Sequence, residues 1–238
     1  MLLEPNDQRV NPNFLMLQLS SSAFPSGSYT HSSGFEAFIE FESISDASSL
    51  QHYLSIWLLQ SVARCDGPAV ALTHRYIGDN RSDLLVELSD TLSAIKYSKS
   101  NFDSSVMMGK ATLNSLLQSL SGVDQSLASF MGREPQRELE LHHAVVWGIA
   151  TKLYDVNVED AVSAYLFSSF SGVLEVLARI VPLGQKNTQK ILVESHTDLL
   201  KALDTSLEMD LEQLGSQTAI HDIAAMNHDR LLTRLCIT

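Results

Sequence analysis

A few stretches of the chain set chemically capable side chains at suggestive spacings. Ser104 to Ala111 reads SSVMMGKA, and Gly109-Lys110 is the pair that closes a phosphate-cradling loop. Such a loop also needs an earlier Gly, a Ser or Thr after the Lys, and a strand leading in. All three are missing, so the stretch reads as ordinary helix and no nucleotide hydrolysis is expected. His31-Ser32-Ser33-Gly34 puts an imidazole beside hydroxyls but lacks the first Gly and the strand of a nucleophile elbow. His142 and His143 are adjacent, so on a helix they point in different directions and cannot easily share a metal. His221 and His228 fall on one helical face, but about two 5.4 Å turns apart, too far for a tight two-point site. Zinc and nickel want several converging ligands. No HExxH, carboxylate pair or triad stands out. The chain is therefore not expected to be an enzyme, and only His31 is kept as a candidate metal ligand.

The elements that would carry these residues are helical. Asn13 reads as the cap of a short apolar helix, Phe14 to Leu19. Ser20 to Ser33 is serine-rich, with Pro25 and Gly27, and reads as an ordered loop. Phe35, Phe38 and Ile39 share one side of a helix over Gly34 to Phe41. Asp46 caps a helix with Leu50, Leu54, Trp57 and Leu58 at spacings of three and four. Gly67-Pro68 restarts the chain, and Gly78-Asp79-Asn80 ends that helix. Leu84, Leu85, Leu88, Leu92 and Ile95 form another stripe. Ser100 to Leu120 and Leu139 to Tyr154 follow, with breaks at Gly122 and at Gly132 to Pro135. Val158 to Val181 is the most apolar segment and belongs in the middle of a bundle. Asn187 to Leu214 reads as one long amphipathic stretch, and Ala219 to Leu232 as the last helix. No run alternates apolar and polar residues, so no sheet is expected. The expectation is an all-α, single-domain bundle of roughly ten helices over 1–238, with a flexible 1–12 and a tail from 230 to 238.

Composition agrees. The chain is 45% hydrophobic and 18% charged, which is globular rather than disordered. Its formal net charge of -12, with no Lys/Arg cluster, argues against nucleic acid. Two distant cysteines, Cys65 and Cys236, give no disulfide framework. The first ten residues lack the basic-then-apolar order of a secretory leader. No run comes near the roughly 18 apolar residues of a membrane span. A cytoplasmic chain with no membrane partner is expected.

Three stretches carry a resemblance to a known family. Leu17 to Glu36, LQLSSSAFPSGSYTHSSGFE, resembles the N-terminal signature of the UreF family, an apolar helix followed by SxxFPxGxYxHSxGxE. Phe24, Pro25, Gly27, Ser28, Tyr29, His31, Ser32, Gly34 and Glu36 fit it. Arg179 to Leu192, RIVPLGQKNTQKIL, resembles the family's basic residue followed by PLGQxxxQ, with Pro182, Gln185 and Gln189 in place and Thr188 where Gly is common. His221 to Thr238 resembles the closing pattern, in which Arg234 and Leu235 match an Arg-Leu ending. Lys96 to Lys99 stands where the family commonly has Arg-Glu, so no role is carried onto those positions.

The resemblance implies an all-helical, homodimeric urease maturation factor. Such a protein is an adaptor or co-chaperone that joins a UreD-type protein (also called UreH) and the GTPase UreG. Together they insert nickel into apo-urease. Nickel would be the cargo of the complex and GTP the ligand of UreG, with no cofactor held tightly by this chain. UreF proteins have also been viewed as regulators of UreG GTPase activity. The implied partner-binding residues are Pro25, Gly27, Tyr29, His31, Glu36, Arg179, Pro182, Gln185, Arg234 and Leu235. Tyr29 and Arg179 would face UreG, since Tyr and Arg most often anchor interfaces. The tail would order against the UreD-type protein, or else dock on its own bundle. The alternatives are a nickel-binding metallochaperone in its own right and a generic helical scaffold.

Overall fold

In the computed structural model, which describes residues 10–120, 140–231 and 234–237, every regular element is a helix. There are eleven α-helices among those residues, and no strand. The expected breaks at Gly122 and Gly132 to Pro135, the first residue of the helix expected over Leu139 to Tyr154, and residues 1–9 lie outside the described part, and that helix begins at His143.

Local signals set the helix ends. α1 (Pro12–Leu19) is capped by Asn11, whose side chain accepts from the N–H groups of Asn13 and Phe14 at 3.0 and 3.3 Å. The cap lies two residues ahead of the expected Asn13, because Pro12 sits in the first turn, where a missing N–H costs nothing. α2 (Phe35–Glu40) follows the serine-rich loop. α3 (Ala47–Gln60) starts at Asp46, which forms a capping box with Ser49. α4 (Asp66–Gly78) carries Pro68 in its first turn. α5 (Ser82–Ile95) and α6 (Lys99–Ser119, capped by Ser98) come next. α7 (His143–Leu153) and α8 (Val158–Ile180, capped by Asn157) complete the centre.

The expected long stretch from Asn187 to Leu214 is two helices, α9 (Gln185–Glu194) and α10 (His196–Glu208). Ser195 divides them: its backbone opens to ψ -3°, while its N–H and its hydroxyl both donate to the Ile191 carbonyl, at 3.0 and 2.8 Å. The last helix is also shorter than expected. α11 (Ala219–Met226) stops where Asn227 turns its side-chain amide onto the Ile223 carbonyl, and a 3-10 turn follows at His228–Arg230.

α4 packs on α5, α7, α8 and α10; α6 packs on α7, and α11 on α2 and α6. Residues 143 to 151 of α7 are buried on every side, which makes α7 the enclosed helix of the bundle. That place was expected of α8. Instead α8 buries one face through Val162, Tyr165, Leu166, Phe170, Val173 and Leu177, while Phe167 and Glu175 look outward. By length and composition α8 is long and apolar enough to cross a membrane, against the expectation that no run comes near that. Its packing on α3, α4, α7 and α10 accounts for that apolar character as a helix half-buried in a bundle.

Gly109 owes its place to this packing. A Cβ there would stand 1.7 Å from the Leu141 carbonyl oxygen, so α6 meets the chain entering α7 only through a glycine. Gly109 is thus a close helix contact, and Lys110 beside it is exposed.

Candidate functional site

The loop between α1 and α2 is held by two left-handed turns. Gly27, at φ 81°, opens the short 3-10 turn Ser28–Thr30 that contains Tyr29. Nothing lies within 4 Å of a Cβ built there, so the backbone angle alone calls for glycine. Thr30 closes the turn by donating its hydroxyl to the Gly27 carbonyl at 2.8 Å. Ser33 (φ 52°) and Gly34 (φ 87°) are both left-handed and reverse the chain into α2. At Gly34 space matters as well, since a Cβ would stand 3.0 Å from Ala225 of α11. Phe24 is buried under the loop, and Pro25 is exposed.

The C-terminal part of the chain clamps this loop. Glu36, in the first turn of α2, is buried. Its carboxylate accepts from the Leu235 N–H at 2.7 Å and the Cys236 N–H at 3.3 Å, and meets His228 Nε2 at 3.2 Å. The Ile237 N–H donates to the Thr30 carbonyl at 2.8 Å. The tail therefore lies on its own bundle, held by its backbone, with the Leu235 and Ile237 side chains 77% and 61% exposed. His221 of α11 bonds the Ser33 carbonyl through Nε2 at 2.5 Å.

Arg179 enters the same neighbourhood. It is exposed near the end of α8, and its Nε donates to the Glu175 carbonyl at 3.3 Å. Its charge reaches Cys236: burial pushes that thiol up to about 12, the Glu36 charge and hydrogen bond add to the rise, and Arg179 opposes it. The Ser28–Thr30 turn packs against α8. The Ser28–Thr30 turn, Glu36, Arg179 and the backbone from Leu235 to Ile237, drawn from three distant stretches, are thus gathered together. Pro182 and Gln185 lie just beyond α8 and are exposed.

The candidate metal ligand His31 is 4% exposed, and burial lowers its pKa. Among the described residues no three His, Cys, Asp or Glu side chains stand close enough together to hold a metal ion. His142 and His143 have separate surroundings. His142 lies 3.0 Å from both Ser105 and Ser93 hydroxyls, while His143 stacks beside Trp147 and Tyr165. His221 and His228 do not share a helix, because α11 ends before His228.

Beside the loop lies a cavity of about 600 Å³, lined by His31, Asp66, Lys96, His143, Tyr165 and Asp222 among others. Lys96 and Asp66 form a half-buried pair at 2.9 Å. Burial by itself would lower the Lys96 ammonium, yet Asp66, Cys65 and Asp222 together hold it above its usual range. Burial raises Asp222, with Lys96 and Ser216 opposing.

Sequence reasoning had not joined Glu36 to the tail, nor His221 to Ser33. Their partners lie 188 to 200 residues away, where no local rule reaches.

Comparison with known proteins bears on these residues. The UreF family model matches residues 44–196. A urease accessory protein UreF from Geobacillus kaustophilus (strain HTA426) is 31% identical over 220 residues, 92% of this chain and 95% of its own. The namesake from Bacillus sp. (strain TB-90) is 30% identical, over 92% and 96%. The one from Pseudomonas fluorescens (strain SBW25) is 28% identical over 226 residues, 95% and 99% of the two chains. The family model spans α3 to α9, and the full-length relatives take in more than nine-tenths of the chain: it belongs to the UreF family of urease accessory proteins.

Proposed function

We propose that this chain is the adaptor of a urease-maturation assembly. In this reading a cytoplasmic homodimer bridges the nickel- and nucleotide-carrying GTPase UreG to a UreD-type protein, and through it to apo-urease. It acts by binding, and nickel passes through the assembly as cargo.

The observation that carries the reading is the gathering of the Tyr29 turn, Arg179 and the C-terminal tail in one neighbourhood. A clamped turn suits an anchor, because a loop already ordered loses little entropy on binding. The exposed Arg179 is a positive group on an acidic protein, and Arg is among the commonest interface anchors. The outward apolar Leu235 and Ile237 suit a second partner on the tail.

The test mixes the purified chain with the UreD-type protein, UreG, GTP-Mg and nickel, and reads masses by size-exclusion chromatography with light scattering. A single assembly containing two copies of this chain is expected. Arg179→Ala is expected to lower UreG capture by about tenfold or more, the effect of a typical anchor. Undiminished capture by Arg179→Ala would remove Arg179 from the interface. A chain that elutes alone from folded partners would overturn the adaptor reading.

A further inference from the structure

His221 is noticeable in the sequence for a metal site that it does not build. Its ring is 4% exposed and sits among aromatic rings, with centroids 4.8 Å from Phe35, 5.5 Å from Phe38 and 6.4 Å from Trp57. One ring nitrogen leaves that cage. Nε2 lies 2.5 Å from the Ser33 carbonyl oxygen, which can only accept, so Nε2 carries the proton. The bond lands on one of the loop's two consecutive left-handed residues, and Gly34 behind it is pressed on Ala225 of the same helix.

We propose that His221 is the positioning residue of the 28–36 loop: it holds the Ser33 carbonyl from across the fold, fixes the reversal through Ser33 and Gly34, and so sets the direction in which the Ser28–Thr30 turn meets a protein partner. The proposal rests on reading that turn as a partner surface. The chemistry suits the task. Ser33 has a short side chain that tolerates the left-handed region, but only glycine adopts it freely, so an outside donor is what selects it here. A lysine or arginine donor would bring a charge into the aromatic cage at a large desolvation cost. An imidazole brings one fixed N–H on a flat apolar ring. Burial lowers His221 to about 4, the Ser33 bond partly opposing, so at neutral pH the ring stays an uncharged single donor.

Two variants and one measurement on the unaltered chain test this. His221→Phe keeps a ring in the cage and removes the donor. Amide hydrogen exchange at residues 34 to 37 is expected to quicken by about tenfold, the loss of one hydrogen bond's worth of protection. Capture of UreG by the preformed complex with the UreD-type protein is expected to weaken by a similar factor. His221→Gln, which still offers an N–H, recovers most of both. Unchanged exchange in His221→Phe overturns the positioning role. Faster exchange with unaltered capture keeps the positioning role and overturns the turn as a partner surface. Nitrogen NMR of the unaltered chain needs no variant to fold. It is expected to show the Nε2–H form from about pH 8 to 5. Titration near the ordinary 6.5, or an Nδ1–H form, overturns the proposal.

Discussion

A buried carboxylate is costly to strip of water unless donors replace the solvent. At Glu36 the replacements are two backbone N–H groups and an imidazole, all from residues beyond 227. Glu36 and the Ile237–Thr30 bond tie the tail to the loop; Leu231 is buried in the core, while Leu235 and Ile237 point outward. Glu36→Gln keeps the size but turns an N–H₂ toward donors. It is expected to cost about 1–3 kcal/mol of stability, the penalty for leaving a buried polar group badly matched. The loss should appear at the C-terminus first, as faster tryptic cleavage after Arg230 and Arg234 under conditions where the bundle stays intact. Equal cleavage rates in the two proteins would mean that the tail is held by something other than Glu36.

Among the elements, α6 and α8 offer a paired test of what a helical glycine is for. Gly109 of α6 has the Leu141 carbonyl where a Cβ would go, whereas Gly172 of α8 has nothing within 4 Å of that position. Gly109→Ala must push α6 away from the entry to α7, at an expected cost of about 3 kcal/mol or more. Gly172→Ala should add up to about 1 kcal/mol by helix propensity alone. Denaturation midpoints that move the same way in both variants would refute the packing account. The helices themselves were legible in the sequence because their signals are local. Leu50, Leu54, Trp57 and Leu58 show their shared face by spacing, and all four are buried. Asp46 announces its cap with Ser49 three residues on. The split at Ser195 was hidden because neither Gly nor Pro marks it, and its hydroxyl bond to Ile191 is one that Thr73, Ser115 and Ser206 also make inside helices that run on. The loop's turn was readable from Pro25 and Gly27. Its clamp was not, because Glu36 and Ser33 find their partners at the other end of the chain.

For the whole molecule, folding encloses several imidazoles that water would otherwise protonate. Burial lowers His74, His142, His143 and His221 each to about 4 from 6.5; Lys152 adds to the lowering at His74, Lys96 at His142, and the Ser33 bond opposes it at His221. Between those two values the unfolded chain binds protons that the folded chain refuses, so stability rises with pH there and falls on acidification. The contribution is complete above about 6.5 and is lost as pH drops toward 4. Carboxylates such as Asp46, Asp83 and Asp198, held below 3.8 by hydrogen bonds, fade only at lower pH, so they do not blur this window. Asp222, raised by burial, works the other way and softens the loss near the acid end. Each proton taken up on unfolding contributes a slope of about 1.4 kcal/mol per pH unit. Urea unfolding at a series of pH values is therefore expected to give an uptake of about four protons near pH 5, to which His31, also lowered by burial, adds, from almost none above pH 7.5. His74→Gln, which takes away the ring that meets the Thr151 hydroxyl at 2.8 Å, should remove about one proton from that count. A stability flat from pH 7 to 5 would mean that these rings are charged inside the fold or reach water, and the closed centre around α7 would have to be redrawn.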